Sequence, residues 1–389
     1  MSDLSPLYRL RLPGPTAVPE RVRQAIGAPV LNHRGPEFRA ILSRAEELIQ
    51  PVLGTANPVL FFASSGTGVM EASLVNVIAP GERVLVCSNG QFGERYASIA
   101  SALGAQIDRF DFEWGRPVDP AAVRERLQSA DYRAVLVTHN ESSTAVVADL
   151  AAIGRVVRDT PALLLTDSVS GLGGLEMRQD AWGVDIVVSS SQKALMCPPG
   201  LGLISVSEKA WNIVNRESGM PRFYWDFRKA RTSIEKSETP FTTPVSLIAG
   251  LVAALEMIHD EGLAHVLARH RRLSSALRAG CAALGLHPFG DPASASSTVV
   301  ALEVPALLDG ADIVRQMYTR HNTVIAGSRN KLSGRVIRIG TMGHVQDGDI
   351  LTDLLYLEET LDSLGFAVRE GAGIAAAAAM ERGVTAHAG

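Results

Sequence analysis

The chain has 389 residues, of which 46% are hydrophobic and 20% are charged, and its formal net charge is −4. This composition allows a large buried core and argues against disorder, while the negative charge argues against nucleic-acid binding through phosphate contacts and against a basic membrane anchor. The three cysteines are too few for a disulfide scaffold and lack zinc-site spacing, and no apolar run approaches the ~20 residues of a membrane span. We therefore expect a cytoplasmic protein without a metal site that binds neither nucleic acid nor membranes.

Short apolar runs alternate with amphipathic stretches through the first two thirds of the chain. Apolar runs without alternation are typical of strands buried on both faces, and they lie at 59–62, 83–87, 134–138, 162–166 and 185–189. The helices predicted between them lie at 67–78, 92–103 and 149–158. This alternation predicts an α/β fold with a mostly parallel sheet, in which ligands bind beyond the carboxyl ends of the strands.

The pattern changes near residues 241–255. The helices predicted after this point lie at 245–259, 266–284, 311–320 and 348–364, and the strands lie at 298–302 and 335–339. We predict an N-terminal arm over 1–20, a large domain over 21–245 and a smaller α+β C-terminal domain over 246–389. The Ala-rich tail of that domain, about 371–389, is expected to be a short fraying helix or a disordered end.

Polar and glycine-rich segments follow the predicted strands. Ser64–Gly68 follows the first strand and begins a helix, where free N–H groups and hydroxyls suit a phosphate. Phe92 follows the second strand and is either a core residue or a plate on which a ring stacks. His139 follows the third strand, Asp167 the fourth and Lys193 the fifth. All of these side chains should therefore lie at one edge of the sheet.

Each segment also has a purely structural interpretation. The Ser/Gly loop could be only a helix cap, Asp167 a turn residue and Lys193 a surface lysine whose stem covers apolar residues. Together, however, a phosphate-binding helix start, an aromatic ring, a carboxylate and a lysine are the set that pyridoxal 5′-phosphate (PLP) requires. In such a site the lysine forms a Schiff base and the carboxylate pairs with the ring nitrogen.

Six motifs along the chain resemble those of the class V, fold-type-I PLP aminotransferases, in particular the alanine–glyoxylate and serine–pyruvate or serine–glyoxylate enzymes. They are SSGTGVMEA (64–72), NGQFGERY (89–96), THNESSTA (138–145), DSVSGLGG (167–174), SSSQKALMCPPGLG (189–202) and TPFTTPVSL (239–247). The resemblance implies PLP as cofactor and a homodimer whose sites are shared between subunits. It also implies transfer of the amino group of a small amino acid, such as alanine or serine, to glyoxylate or pyruvate.

The resemblance also implies roles for individual residues. Lys193 would bind PLP as a Schiff base and move the Cα proton, and Asp167 would pair with the ring nitrogen. Arg338 would bind the substrate carboxylate as a bidentate clamp, and Gly14 would lie against the substrate. The other residues implied to contact the cofactor are Ser65, Gly66, Thr67, Phe92, Ser142 and Gln192, together with Thr239 and Thr242 of the partner subunit.

Two other functions stay open at this point. A cysteine desulfurase or another C–S lyase of the same fold would need a nucleophilic cysteine, and Cys197 lies four residues after Lys193, whereas Cys281 lies in a helical Ala/Leu pattern. A non-catalytic relative would keep the fold without the chemistry, which the intact set of Lys193, Asp167 and Arg338 argues against.

The sequence departs from the family pattern at three positions. Asn140 and Ala145 stand where relatives usually have glycine, in the turn THNESSTA, and Thr239 stands where some relatives have tyrosine. The first two departures bear on the shape of the turn and the third on the phosphate contact.

Overall fold

A computed structural model of the chain describes residues 8–216 and 220–386. The strands in this part of the chain are β1 (Arg9–Leu10), β2 (Val59–Ser64), β3 (Arg83–Ser88), β4 (Gln106–Asp111), β5 (Ala134–Thr138), β6 (Asn140–Glu141), β7 (Val146–Val147), β8 (Leu163–Asp167), β9 (Ile186–Ser190), β10 (Gly200–Val206), β11 (Val299–Glu303), β12 (Thr323–Val324), β13 (Ala326–Gly327) and β14 (Val336–Gly340). The α-helices are α1 (Glu20–Ile26), α2 (Pro36–Leu53), α3 (Gly66–Val75), α4 (Gln91–Ala102), α5 (Pro120–Ser129), α6 (Leu150–Arg158), α7 (Gln179–Trp182), α8 (Glu208–Val214), α9 (Phe227–Ile234), α10 (Val245–Glu261), α11 (Leu263–Ala283), α12 (Gly310–His321), α13 (Asp347–Ser363) and α14 (Ala372–Ala386).

The central sheet of the described residues has the strand order β2-β10-β9-β8-β5-β3-β4. Strands β3, β4, β5, β8 and β9 pair in parallel, and β10 runs antiparallel to both β9 and β2. Every residue of β5, β8 and β9 is buried, as expected of parallel strands covered on both faces. The predicted α/β fold with a mostly parallel sheet is confirmed, and β2, β3, β5, β8 and β9 end at one edge.

The strands predicted from apolar runs agree with the structure to within two residues at each end. Two strands of the sheet were not predicted. Strand β10 begins directly after two prolines and contains Gly200 and Gly202, a composition typical of a loop. The missing Cβ of Gly202 leaves room for Val69 of α3. Strand β4 is the outermost strand of the sheet. It contains no apolar run, because its residues are half-buried or exposed.

The predicted helices agree with the structure to within three residues at each end. Helix α6 illustrates why these helices could be predicted. Its N-cap, Asp149, accepts a hydrogen bond from the Ala152 N–H (2.8 Å), and Leu150, Ile153 and Val157 form a buried stripe at helical spacing. A cap and an apolar stripe are both visible in the sequence, so helices of this kind can be predicted.

A second, antiparallel sheet with the order β11-β14-β13 lies in the C-terminal part of the described chain. Buried apolar side chains form one large core with members from Val22 to Val266, another with members from Leu273 to Ala377, and a small third cluster that joins Ala145 to the C-terminal sheet. The two larger cores support the predicted large and small domains, whose boundaries stay predictions. Helix α10 contributes its buried residues to the first core, which favours a division after α10 rather than before it.

The N-terminal arm crosses the C-terminal part of the same chain. Strand β1 pairs in parallel with β12, and Arg11 forms a buried ion pair with Asp353 of α13. Residues 1–7 of the predicted arm and 387–389 of the predicted tail lie outside the described residues. The tail is helical over α14, which packs on α11 and buries Ala377. No helix in the described ranges is long and apolar enough to cross a membrane.

Candidate active site

The sequence suggested that Asp167 follows β8, but in the structure Asp167 is the last residue of this strand. Its side chain is only 3% exposed, and one carboxylate oxygen accepts a hydrogen bond from the Val169 N–H (2.9 Å). Burial raises the pKa of Asp167 to about 6, although the charges of Arg95 and Lys193 act in the opposite direction. The fold thus holds a carboxylate with few partners at the edge where the parallel strands end.

Lys193 lies three residues after the end of β9, the strand next to β8. Its Nζ donates a hydrogen bond to the Pro13 carbonyl of the N-terminal arm. Burial lowers the pKa of Lys193 to about 8; the positive charges of Arg338 and Arg95 act in the same direction, and the negative charge of Asp167 acts against it. The side chains of Asp167 and Arg338, which come from different sheets, therefore act on one amine.

The N-terminal arm closes over this lysine. The Thr16 N–H donates to the Gln192 carbonyl (3.1 Å), and the Thr16 hydroxyl donates to the Lys193 carbonyl (2.9 Å). Gly14 has a φ of +94°, and a Cβ at this position would lie 2.6 Å from the Lys193 Nζ. Only glycine fits here, because a side chain would be strained and would displace the amine. The structure thus places Gly14 against Lys193, and its predicted contact with the substrate stays a prediction.

The predicted phosphate loop begins helix α3 at the end of β2. Ser65 is the N-cap of α3 and accepts a hydrogen bond from the Gly68 N–H (3.3 Å). A Cβ on Gly66 would lie 2.8 Å from the Val169 Cγ2, so this glycine allows the helix start to approach the turn after Asp167. Free N–H groups at the start of a ten-residue helix and the adjacent Thr67 hydroxyl form an anion-binding end next to the β8 turn.

Two buried polar atoms at the end of β9 and just after it have no hydrogen-bond partner among the described residues. They are the Gln192 Oε1, one residue before Lys193, and the Ser190 Oγ at the end of β9. The Ser190 hydroxyl lies close to Gly66, since a Cβ there would be 3.1 Å from its oxygen. Unpaired buried polar atoms are costly, and the Ser190 hydroxyl could donate to a phosphate oxygen, whereas the Gln192 Oε1 can only accept a hydrogen bond.

Glu141 is a site residue that the sequence analysis missed. Its buried carboxylate accepts hydrogen bonds from the N–H groups of Phe92 (2.9 Å), Gly93 (3.2 Å) and Ser143 (3.1 Å). Burial raises the pKa of Glu141, and these hydrogen bonds lower it. Glu141 thus joins the start of α4, which carries Phe92, to the turn that carries Ser142. The signal was a single acidic residue within the hydroxyl-rich turn THNESSTA.

Arg338 lies in the middle of β14, and its neighbours Ile337 and Ile339 are fully buried on the opposite face. Its Nη1 donates to the carbonyl of Ser142 (2.9 Å), and its Nη2 donates to the carbonyl of Gly327 (2.9 Å). The Nε has no partner among the described residues. Burial lowers the pKa of Arg338, and the negative charge of Glu141 acts against this shift. The guanidinium is therefore fixed at the turn between the two sheets.

Thr239 and Thr242 lie beside β2, in a small cavity also lined by Phe61 and Ala63. The Thr239 hydroxyl is buried and donates to the Phe241 carbonyl (2.8 Å), whereas Thr242 is exposed. In the described part of the chain neither side chain forms a hydrogen bond with the phosphate loop. Their predicted contact with the phosphate of a partner subunit stays a prediction, and Thr242 is the better placed of the two.

The sequence model of the family described as Aminotransferase class-V matches residues 17–341. The chain belongs to this family. A soluble hydrogenase 42 kDa subunit from Anabaena cylindrica is 39% identical over 95% of this chain and 97% of the relative. An L-aspartate–glyoxylate aminotransferase from Paracoccus denitrificans is 37% identical over 100% of this chain and 99% of the relative.

The solved structures agree with this family. The ureidoglycine–glyoxylate aminotransferase of Bacillus subtilis superposes with a TM-score of 0.93 at 28% identity, covering 98% of this chain and 100% of the other. The fold expected from the resemblance, that of the fold-type-I aminotransferases, is therefore confirmed. So is the expectation that the chain is a transaminase.

The cysteine desulfurase alternative is not supported for this class-V aminotransferase. Cys197 and Cys281 are both fully buried, and burial raises the pKa of the Cys197 thiol to about 12. A thiol with such a pKa is protonated at neutral pH and is a poor nucleophile. The apolar surroundings of both cysteines, already visible in the sequence, explain this result.

The two departures in the turn of this class-V aminotransferase have structural consequences. The Asn140 amide donates to the Ser170 hydroxyl (2.8 Å), in the segment after Asp167, and to the Thr298 hydroxyl (2.9 Å), directly before β11. Ala145 adopts a φ of +57°, a conformation that favours glycine. The turn therefore keeps a glycine-like backbone at Ala145 and gains side-chain contacts at Asn140.

Proposed function

We propose that the chain is a PLP-dependent transaminase that moves the amino group of a small amino acid, alanine or serine, to a 2-oxo acid such as glyoxylate or pyruvate. The observation that carries this proposal is the Lys193 amine: its pKa is lowered to about 8, and the charges that act on it are those of Asp167, Arg338 and Arg95. A desolvated lysine beside a carboxylate and a carboxylate-binding arginine is the arrangement that amino-group transfer requires.

The residues at the site fit PLP. The start of α3 with Ser65, Gly66 and Thr67 would hold the phosphate, and the N–H groups of the Gln192 side-chain amide could donate to it. Phe92 would lie against the ring, and Asp167 would face the ring nitrogen. Bound PLP would supply an electron sink for the negative charge that develops at the substrate Cα.

Three side chains of the chain then divide the work. The Arg338 guanidinium binds the substrate carboxylate and so fixes the direction of the Cα–H bond. The Lys193 Nζ, whose pKa of about 8 lies near neutrality, would take the Cα proton from the amino donor and pass it on to the cofactor within the first half-reaction, and would deliver a proton to the Cα of the amino product in the second. The Asp167 carboxylate, ionised above a pKa of about 6, holds a proton at the ring nitrogen that it faces.

We also propose that the active species is a homodimer in the cytoplasm. Thr242 is exposed on the single chain, and its exposure supports a contact with the phosphate site of the partner subunit. Analytical ultracentrifugation across a dilution series tests this part: activity and PLP content should both fall as dimers dissociate. A fully active monomer would disprove the shared site.

The experiment that tests the reaction uses the purified chain loaded with PLP. Alanine, serine, aspartate, ureidoglycine and pyridoxamine are each offered with glyoxylate or with pyruvate, and the amino product is measured by mass spectrometry. We expect the fastest transfer from alanine or serine to glyoxylate or pyruvate. Absence of transfer from every donor, with PLP bound, would refute the proposal; faster transfer from another donor would refute only the choice of donor.

A further inference from the structure

Arg95 is a cation at the candidate site that the roles above do not explain. It lies on α4, three residues after Phe92, and is half-buried. Its Nη1 donates a hydrogen bond to the Thr67 hydroxyl oxygen (3.2 Å), and its guanidinium carbon lies 4.7 Å from the centre of the Phe92 ring. One side chain therefore contacts two of the residues that the cofactor is proposed to touch, one at the phosphate and one at the ring.

Among the described residues, no carboxylate at contact distance compensates the charge of Arg95. No ion pair joins Arg95 to an acidic side chain in the described ranges. The acidic residue next to it in the sequence, Glu94, instead lies 3.7 Å from Arg109. The charge of Arg95 nevertheless acts on the centre of the site, since it lowers the pKa of both Asp167 and Lys193. An unpaired cation next to a helix start favours an anionic ligand.

The hydrogen bond to Thr67 also decides which way that hydroxyl points. A hydroxyl has one hydrogen to donate and can accept from elsewhere. Because the Thr67 oxygen accepts from Arg95, its own O–H is left to donate to an acceptor at the start of α3. A phosphate oxygen bound at this helix start is such an acceptor.

We propose that Arg95 is a further phosphate-binding residue of the PLP site: its guanidinium adds positive charge at the start of α3 and orients the Thr67 hydroxyl toward the phosphate. This inference rests on the proposed PLP-dependent function. A different role for the same contacts is to hold the Phe92 ring by a cation–π interaction, which would act on the pyridine ring and not on the phosphate.

The two roles are separated by comparing PLP with pyridoxal, which lacks the phosphate. Apo-protein is titrated with each compound and followed by absorbance, using the wild type, Arg95→Met and Arg95→Lys. The matched control is Arg124→Met, since Arg124 is an exposed arginine on α5. Far-ultraviolet circular dichroism and the thermal midpoint of each apo-protein report folding.

In Arg95→Met we expect the Kd of PLP to rise about ten- to a hundredfold, the loss typical of one charge-assisted contact, and the Kd of pyridoxal to stay unchanged. Arg95→Lys should recover part of the PLP affinity because the charge remains. Inorganic phosphate should compete with PLP less effectively against Arg95→Met than against the wild type. The Arg124→Met control should match the wild type in every titration.

Several results would overturn the proposal. Equal weakening of PLP and pyridoxal would assign Arg95 to the ring through Phe92, and unchanged affinities would assign it no role. If Arg95→Met does not fold, the same titrations are made with Arg95→Lys. A PLP Kd and a phosphate competition equal to those of the wild type would then show that the guanidinium hydrogen bond to Thr67 contributes nothing, and would overturn the proposal. Failure of the wild type to bind PLP would instead refute the proposed function, so the two failures are distinguishable.

Discussion

The two sides of the candidate site are built in different ways. On the cofactor side, Asp167 and Lys193 stand at the ends of adjacent buried strands, and each has a single hydrogen-bond partner for its charged group among the described residues. On the substrate side, two backbone carbonyls from separate segments hold the Arg338 guanidinium. Burial shifts the pKa of Asp167 up and that of Lys193 down, so the cofactor side keeps charges that the protein alone satisfies poorly.

This difference indicates which side depends on a ligand. Buried charges without adequate partners are costly in an apo-protein, and such sites gain stability when a complementary group binds. Arg338, by contrast, is already positioned by the turn and by β13 before any substrate arrives. Removing groups on the cofactor side should therefore affect chemistry most, and removing Arg338 should affect substrate binding.

The largest expected effect comes from Lys193→Ala. Loss of the amine removes both the covalent attachment and the proton carrier, so turnover should fall by at least about a thousandfold. The visible absorbance of lysine-bound PLP should disappear, although PLP can still bind through its phosphate. Lys236→Ala, at an exposed lysine, is the control. Turnover near the wild-type rate would show that Lys193 is not the reactive lysine.

Asp167→Asn should have the next largest effect. A neutral amide of the same shape cannot hold a proton at the ring nitrogen, so turnover should fall about a hundred- to a thousandfold while PLP content changes little. Steady-state kinetics and PLP quantification measure the two quantities, with Asp111→Asn at an exposed position as the control. Near-normal turnover would show that Asp167 is only a turn residue, whose carboxylate accepts a hydrogen bond from the Val169 N–H.

Arg338→Lys tests the substrate side. Lysine keeps the charge but cannot form two parallel hydrogen bonds, and a charge-assisted pair is worth roughly 1.5–3 kcal/mol, so the KM for amino and oxo acids should rise about ten- to a hundredfold. The PLP absorbance should not change. Arg335→Lys, at an exposed arginine preceding the same strand, is the control. An unaltered KM would mean that Arg338 serves only to join Ser142 and Gly327.

The same contrast predicts a stability effect in the apo-protein. Because the pKa of Asp167 is about 6 in the folded chain and 3.8 ordinarily, the folded chain keeps a proton that the unfolded chain releases between these values. Stability from this group therefore falls as the pH rises through that window, and Asp167→Asn should be more stable than the wild type by about 2–3 kcal/mol at neutral pH. Denaturant unfolding of both apo-proteins at pH 7.5 and at pH 4 measures this. The difference in the free energy of unfolding between the two proteins should be much smaller at pH 4. Equal free energies of unfolding at pH 7.5 would show that ionised Asp167 does not destabilise the apo-protein.

Sequence reasoning succeeded where the signal was local. The strands before Asp167 and Lys193 are unbroken apolar runs, so both side chains could be placed at the sheet edge. It failed where a role depends on contacts across the chain. Glu141 acts through Phe92 and Gly93, and Arg95 through Thr67, pairs that lie far apart in sequence and meet only in the fold. The roles of Arg338 and Gly14 came from the family resemblance, since spacing alone does not bring them to Lys193.

The smallest expected effect concerns Thr242, the exposed residue assigned to the site of the partner subunit. One neutral hydrogen bond contributes about 0.5–1.5 kcal/mol, so Thr242→Ala should weaken PLP binding only about two- to tenfold, and Thr242→Ser, which keeps the hydroxyl, should restore it.

Mixed dimers decide whether Thr242 acts within its own chain or across the interface. A dimer of one Lys193→Ala chain and one Thr242→Ala chain contains a single reactive lysine. If Thr242 serves the partner, the site with that lysine receives an intact Thr242 from the other chain and binds PLP as tightly as the wild type. If Thr242 serves its own chain, the same site lacks the hydroxyl and shows the weakened Kd. Tagged chains purified as heterodimers and titrated with PLP by absorbance therefore test the shared site directly, and the weakened Kd in the heterodimer would contradict it.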